Sequence, residues 1–149
     1  MSLDNAKKSI IILGVLNIII GLLGITLSVA LFSGGNMLGK SVIETATPAA
    51  EGAAEALTMS GIMLVLSVFV LVASIVYLLL GIFSIIGGKN PVKIMPAYVL
   101  SIIAIILSIV TMILNFASGV NVSTILDGIV GIVFSATSFA CAKTIRNSL

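Results

Sequence analysis

Charge is almost missing from this chain. Of its 149 residues, 8% are charged and 60% are hydrophobic, a balance outside the range of ordinary soluble domains. Histidine and tryptophan are absent, and Cys141 is the single cysteine. One thiol cannot form an internal disulfide. Without histidine or a second thiol, metal sites of the common nitrogen or sulfur type lack their ligands, and none is assigned, nor any cofactor. Aromatic residues make up 5%, and no basic patch with interleaved aromatics exists for nucleic acid.

Long uncharged runs are what the chain has instead. No charge occurs over residues 9–39, 56–88 or 94–126. About 20 apolar residues cross a hydrocarbon core of roughly 30 Å, so the first two runs hold one span each. The third holds a span and a short polar turn. The stretch 125–142 is long enough for a fourth, at about 27 Å. The expected fold is therefore an all-α membrane protein, an antiparallel up-down bundle of four transmembrane helices over 9–32, 60–86, 96–116 and 124–142. The first apolar run exceeds a signal-peptide h-region and closes without a clear small-x-small site, so it reads as a retained anchor. The alternative is a cleaved leader followed by three spans.

Orientation follows from the basic residues. Lys7, Lys8, Lys89, Lys93, Lys143 and Arg146 fall on one side with Asp4. Lys40 falls on the other with Glu44, Glu51, Glu55 and Asp127. Basic residues near span ends stay cytoplasmic, which places both termini inside.

Small residues recur along each span. The first carries Gly14, Asn17, Gly21, Gly24 and Ser28. The second carries Ser60, Ser67, Ser74, Gly81 and Gly88, the third Ala97, Ser101, Ala104, Ser108, Thr111, Asn115 and Ser118, and the fourth Gly128, Gly131, Ser135, Ser138 and Ala142. Steps of three, four or seven put such positions on one helix face. Because lipid supplies little hydrophobic drive between helices, close approach through small side chains holds them together. This is the expected packing seam.

The polar connections are read as follows. Gly34-Gly35-Asn36 is expected to end the first helix and open a polar outer loop over 33–47. Thr47-Pro48 suits a helix start. The alanine-rich segment behind it predicts a second helix that projects outside the bilayer, with Gly61 as its expected kink. Gly87-Gly88-Lys89-Asn90-Pro91 is expected to end that helix.

Few residues could carry chemistry. Asp127, three after Thr124, fits a helix-opening box at the outer interface, or alternatively a role in a pathway or a partner contact. Asn17 on the seam reads as an interhelical hydrogen bond that fixes register, or as a substrate or ion contact. Tyr77 needs a hydroxyl partner, and Asn17 is one candidate. Tyr98 suits an interfacial anchor. Cys141 reads as a small buried residue or as an acylation site. Glu51 and Glu55, one turn apart, read as a solvated face or as a contact for a basic partner. Intramembrane arginine, used by four-span eicosanoid and glutathione enzymes, is absent. So is the acid in the first helix that couples small four-span exporters to protons.

The segment Leu13-Gly14-x-x-Asn17-Ile18-x-x-Gly21-Leu22 resembles the first span of the CD20-like four-span family, where glutamine usually fills the Asn17 position. Ser101 and Ala104 are compatible with it. The likeness covers about ten residues well and the rest in hydropathy alone, and the outer loop lacks the paired cysteines many members carry. It implies a non-enzymatic, self-associating membrane protein. Composition and seam lead to the same expectation: a small integral membrane protein, not an enzyme, that forms a homo-oligomer or serves another membrane protein as an interaction or scaffold subunit. The alternative is an oligomeric pore, or a carrier of small apolar or lipidic solutes without proton coupling. Isoleucine-rich spans without disulfides point towards a bacterial inner membrane.

Overall fold

A computed structural model describes the backbone of residues 2–45, 51–117 and 122–149, and side chains over 2–37, 40, 58–113 and 129–149. Four helices follow one another: α1 (Leu3–Thr45), α2 (Glu51–Lys89), α3 (Met95–Ala117) and α4 (Val122–Arg146). A single 3-10 turn, Pro91–Lys93, joins α2 to α3. No strand occurs among the described residues. Each helix contains a stretch long and apolar enough to cross a membrane: Leu3–Met37, Thr58–Lys89, Met95–Ile113 and Ile129–Arg146. The chain is an integral membrane protein.

Two compact units divide it: Met1–Gly21 with Val76–Leu149, and Leu22–Ile75. The first is a four-helix bundle made of residues 3–21 of α1, 76–89 of α2, and all of α3 and α4. Ala6, Ile10, Ile94, Ala97, Cys141, Ala142 and Ile145 form a fully buried cluster there, with Leu13, Phe83 and Tyr98 packed against it. Between α3 and α4, Ser108 faces Ser135 and Tyr98 lies under Arg146. Rising numbers on one helix meet falling numbers on the other, so the pair is antiparallel.

Within the bundle α1 and α2 touch backbone to backbone. A Cβ built on Gly14 would lie 2.8 Å from the Gly81 carbonyl oxygen, and one on Gly81 would lie 2.6 Å from the Gly14 carbonyl oxygen and 2.9 Å from the Ile18 nitrogen. Real Cβ atoms do not come this close, and backbone cannot swing aside as a side chain can. Helix α2 ends at Lys89 inside the expected stop. Asn90 is extended (φ −128°, ψ 97°) ahead of Pro91, the conformation favoured before proline. Gly87 and Gly88 remain helical; they let Ile94 and the Ile10–Ile11 pair close onto α2, with Cβ clearances of 2.5 Å.

The second unit is an antiparallel helical hairpin of residues 22–45 and 51–75. The Ser28 hydroxyl donates to the Ser67 carbonyl at 2.8 Å, and the Ser60 hydroxyl donates to the Gly35 carbonyl at 2.8 Å. Gly24 sits where the Ser74 hydroxyl occupies the place a Cβ would need.

Here the structure corrects the sequence reading. The first helix does not end at Phe32, and 33–45 is not a loop, since α1 continues through Gly34, Gly35 and Asn36 to Thr45. A helical glycine costs about 1 kcal/mol relative to alanine. At Gly35 that cost is offset by packing: a Cβ there would lie 3.3 Å from Leu64 and Met63, and its carbonyl accepts the Ser60 hydroxyl. The second helix is therefore not alone in exceeding the length of a span. With 43 residues α1 is about 64 Å long, and with 39 residues α2 is about 58 Å, both well beyond the roughly 30 Å hydrocarbon core. The expected start at Pro48 lies outside the described residues. The helix assignment runs unbroken across Gly61.

Gly81→Ala is expected to destabilise the protein by about 1–3 kcal/mol through overpacking. Gly34→Ala, where a Cβ meets nothing within 4 Å, should be neutral or stabilising by up to about 1 kcal/mol. Thermal unfolding of both variants in the same detergent, followed by circular dichroism, checks the contrast.

Candidate functional site

Helix periodicity turns the small and polar residues of the four-helix unit inward. Gly14, Asn17 and Gly21 from α1, Gly81 from α2, Ser101, Ala104 and Ser108 from α3, and Ser135 and Ser138 from α4 are all buried there. Gly131 is half-buried and rests 3.5 Å (from its Cβ position) from the Ser108 hydroxyl. Gly128 lies outside the described side chains. In the hairpin unit Ser28, Ser67 and Ser74 are buried and Gly24 is half-buried.

Most of these hydroxyls are held by backbone. Ser101 donates to the Ala97 carbonyl at 2.7 Å, Ser108 to Ala104 at 2.8 Å, Ser138 to Phe134 at 3.0 Å and Ser67 to Leu64 at 2.7 Å. An apolar surrounding makes an unmade hydrogen bond expensive, and a helical serine can reach the carbonyl one turn back. Once its single proton is given to that carbonyl, the oxygen can only accept. Ser108 does so: its oxygen lies 2.8 Å from the Tyr77 hydroxyl, and the tyrosine is then the donor. The Ser135 hydroxyl lies 3.4 Å away, and the three form one polar cluster across α2, α3 and α4. Tyr77 thus finds its partner on α3, and the Asn17–Tyr77 pairing considered from sequence does not occur.

Two buried polar groups stand apart. Asn17 is 1% exposed and Ser84 is 0% exposed, and neither Asn17 Nδ2 nor Ser84 Oγ finds a hydrogen-bond partner among the described residues. Ser84 was missed in the sequence, where only the seven-residue step of the second span was followed. The signal was present as Gly81, Ser84 and Gly88, which step by three and four.

The remaining candidates separate. Cys141 is 1% exposed and belongs to the apolar cluster with Ile10, Ile94 and Ile145, so its thiol does not face lipid or water for acylation. Helix α4 starts at Val122, and Thr124 lies within its first turn instead of ahead of it. The Asp127 side chain falls outside those described. Glu51 and Glu55 open α2 one turn apart, and their side chains also lie outside the described set. At the basic end, the Arg146 guanidinium stacks 4.5 Å from the Tyr98 ring centroid, and Tyr98 packs on Phe139 with ring centroids 5.1 Å apart. This arrangement holds the Arg146 cation against the face of an aromatic pair.

No protein-family model, curated protein or solved structure matches the chain. The arrangement of its own residues is what bears on function. It gathers polar groups at the centre of a bundle without bringing a described charge among them.

Two outcomes follow. Tyr77→Phe should cost about 0.6 kcal/mol, the average for interhelical hydrogen bonds in membrane bundles, and at most about 1.7; reversible unfolding in mixed micelles measures it. Cys141 should resist maleimide in the folded protein and react fully in SDS, whereas a cysteine at exposed Lys143 in a Cys141→Ala background should react in both.

Proposed function

We propose that this protein works by association, as a non-enzymatic membrane bundle that binds copies of itself or serves as an interaction subunit for another membrane protein. The observation that carries this reading is how the small residues are divided. Gly14, Gly81 and Gly24 are used up inside the chain. A second set on α1 is not: Thr26, Ala30 and Ser33 are exposed, and a Cβ at Gly34 meets nothing within 4 Å. Thr26, Ala30 and Gly34 follow at steps of four, the spacing that lets a second helix approach closely in lipid. The Thr26 hydroxyl donates to the Leu23 carbonyl of its own helix at 2.7 Å, so this face asks a partner for shape and not for polar bonds.

The interior supports the same reading against a conduit through one chain. Ile10, Ile94 and Ile145 are each 0% exposed at one end of the four-helix unit, and Gly14 and Gly81 are in backbone contact beside them. The CD20-like likeness of residues 13–22 also implies self-association. Isoleucine-rich spans and the single cysteine support a bacterial inner membrane as the location.

Mass photometry and crosslinking in lipid nanodiscs test the proposal. The expected result is a discrete oligomer, or a stoichiometric partner recovered by pull-down, that Ala30→Phe breaks while the helical spectrum and thermal midpoint are kept. A strictly monomeric protein with no partner would sink it. So would an oligomer indifferent to Ala30→Phe that carries single-channel current, the outcome expected of the pore reading.

A further inference from the structure

We propose that the basic end of the four-helix unit binds anionic phospholipid, with the Arg146 guanidinium as the fork that holds the headgroup phosphate. Lys7, Lys8, Lys89, Lys93, Lys143 and Arg146 all belong to this unit, and Asp4 is the one acid beside them. They ring the buried apolar cluster. Lys7 follows Ala6, Lys93 precedes Ile94, and Lys143 and Arg146 follow Ala142 and Ile145. Lys89 follows Gly88, onto which Ile10 and Ile11 close, and Lys8 lies one turn before Ile11. None of the six forms a salt bridge among the described residues. One aspartate cannot neutralise six cations, so the counter-charge comes from outside the chain.

Arg146 differs from the lysines in how it is held. Its guanidinium lies 4.5 Å from the Tyr98 ring centroid, and Tyr98 is itself packed on Phe139 and on the buried cluster. The ring steadies the cation without supplying an oxygen acceptor. No hydrogen bond from the Arg146 side chain is made among the described residues. Its planar set of N–H donors therefore remains for a ligand, in the geometry that suits a phosphate. A side chain already held in place also loses less freedom on binding. Lys143 lies one turn back on α4, and α4 touches the 3-10 turn that ends in Lys93. Both lysines are exposed and add charge at the same corner.

The surroundings select a lipid over a soluble anion. Lys89 and Arg146 close the apolar stretches of α2 and α4, and Met95 opens that of α3. The cations thus stand where spans end. Among them Val92 is 73% exposed and Met95 is 51% exposed. A ligand with an anionic head and an acyl chain covers both kinds of surface. Inorganic phosphate or an acidic peptide would meet the charge and leave Val92 and Met95 in water. Each Lys or Arg near an anionic leaflet is worth about fivefold in affinity. None of these residues belongs to the Thr26, Ala30 and Gly34 face, so the inference stands apart from the association proposed above.

Native mass spectrometry of the full chain in mild detergent tests this, with dioleoyl-phosphatidylglycerol and dioleoyl-phosphatidylcholine as probes of equal chain length. The expected result is that phosphatidylglycerol is retained about tenfold more tightly or better. Arg146→Gln should weaken that binding about five- to tenfold, and Lys143→Gln about fivefold, with thermal midpoints kept. Lys40→Gln, in the other unit, should change nothing. Tyr98→Phe keeps the ring and should bind as wild type. Tyr98→Leu should weaken binding alone but add nothing to Arg146→Gln, the coupling expected of a positioning residue. Equal retention of the two lipids overturns the proposal, as does an Arg146→Gln protein that binds phosphatidylglycerol like wild type. Displacement of the lipid by millimolar inorganic phosphate, or by an equimolar poly-glutamate peptide, overturns the choice of a lipid. Additive losses for Tyr98→Leu and Arg146→Gln overturn the role of the ring.

Discussion

The backbone contact between Gly14 and Gly81 is the constraint on which the four-helix unit depends. Two carbonyl-bearing turns approach until neither side can carry a Cβ. In water such closeness would be one option among several, because burial of large apolar side chains could bind the helices as well. In lipid the tails solvate leucine as well as a neighbouring helix does, and what remains is dense packing of surfaces that fit. Removing the side chain at both positions brings the helices together over their whole local surface. Ser84, Ile85 and Ile18 are then set against the opposite backbone by that one crossing.

Close approach has a polar corollary. Helices packed on glycine, alanine and serine bring hydroxyls into an interior that offers no solvent. Serine manages this because its own helix supplies an acceptor one turn back, as at Ser67, Ser74, Ser101, Ser108 and Ser138. Where the partner lies across the interface the bond also sets register, as Ser28 with Ser67 and Ser60 with Gly35 do in the hairpin unit. Asn17 has no such local recourse. Its Nδ2 group, in a residue 1% exposed, finds no hydrogen-bond partner among the described residues.

Hydropathy and spacing go a long way in such a chain. The four spans, the end of α2 at the Gly-Gly-Lys-Asn-Pro segment and the helical start of the alanine-rich stretch behind residue 50 are legible because each rests on local chemistry: absence of charge, a proline without an N–H, strong helix formers in series. The extension of α1 to Thr45 was not legible. Gly34-Gly35-Asn36 is a local breaking signal, and it is overruled by Leu64, Met63 and Ser60 on a helix 25 or more residues away. The partner of Tyr77 was hidden for the same reason, since depth along a span can be counted but the neighbour at that depth cannot.

The sequence by itself determined that the chain is helical, crosses a membrane, and has its small residues on faces suited to packing, because these follow from composition and a period of 3.6 residues. Tertiary structure alone decided which small residues are consumed within the chain, at Gly14, Gly81 and Gly24, and which remain outside, at Ala30 and Gly34. It alone left Asn17 Nδ2 and Ser84 Oγ without a hydrogen-bond partner among the described residues. The reason is geometric. Periodicity says that residues share a face, but only the pairing of helices says what that face meets.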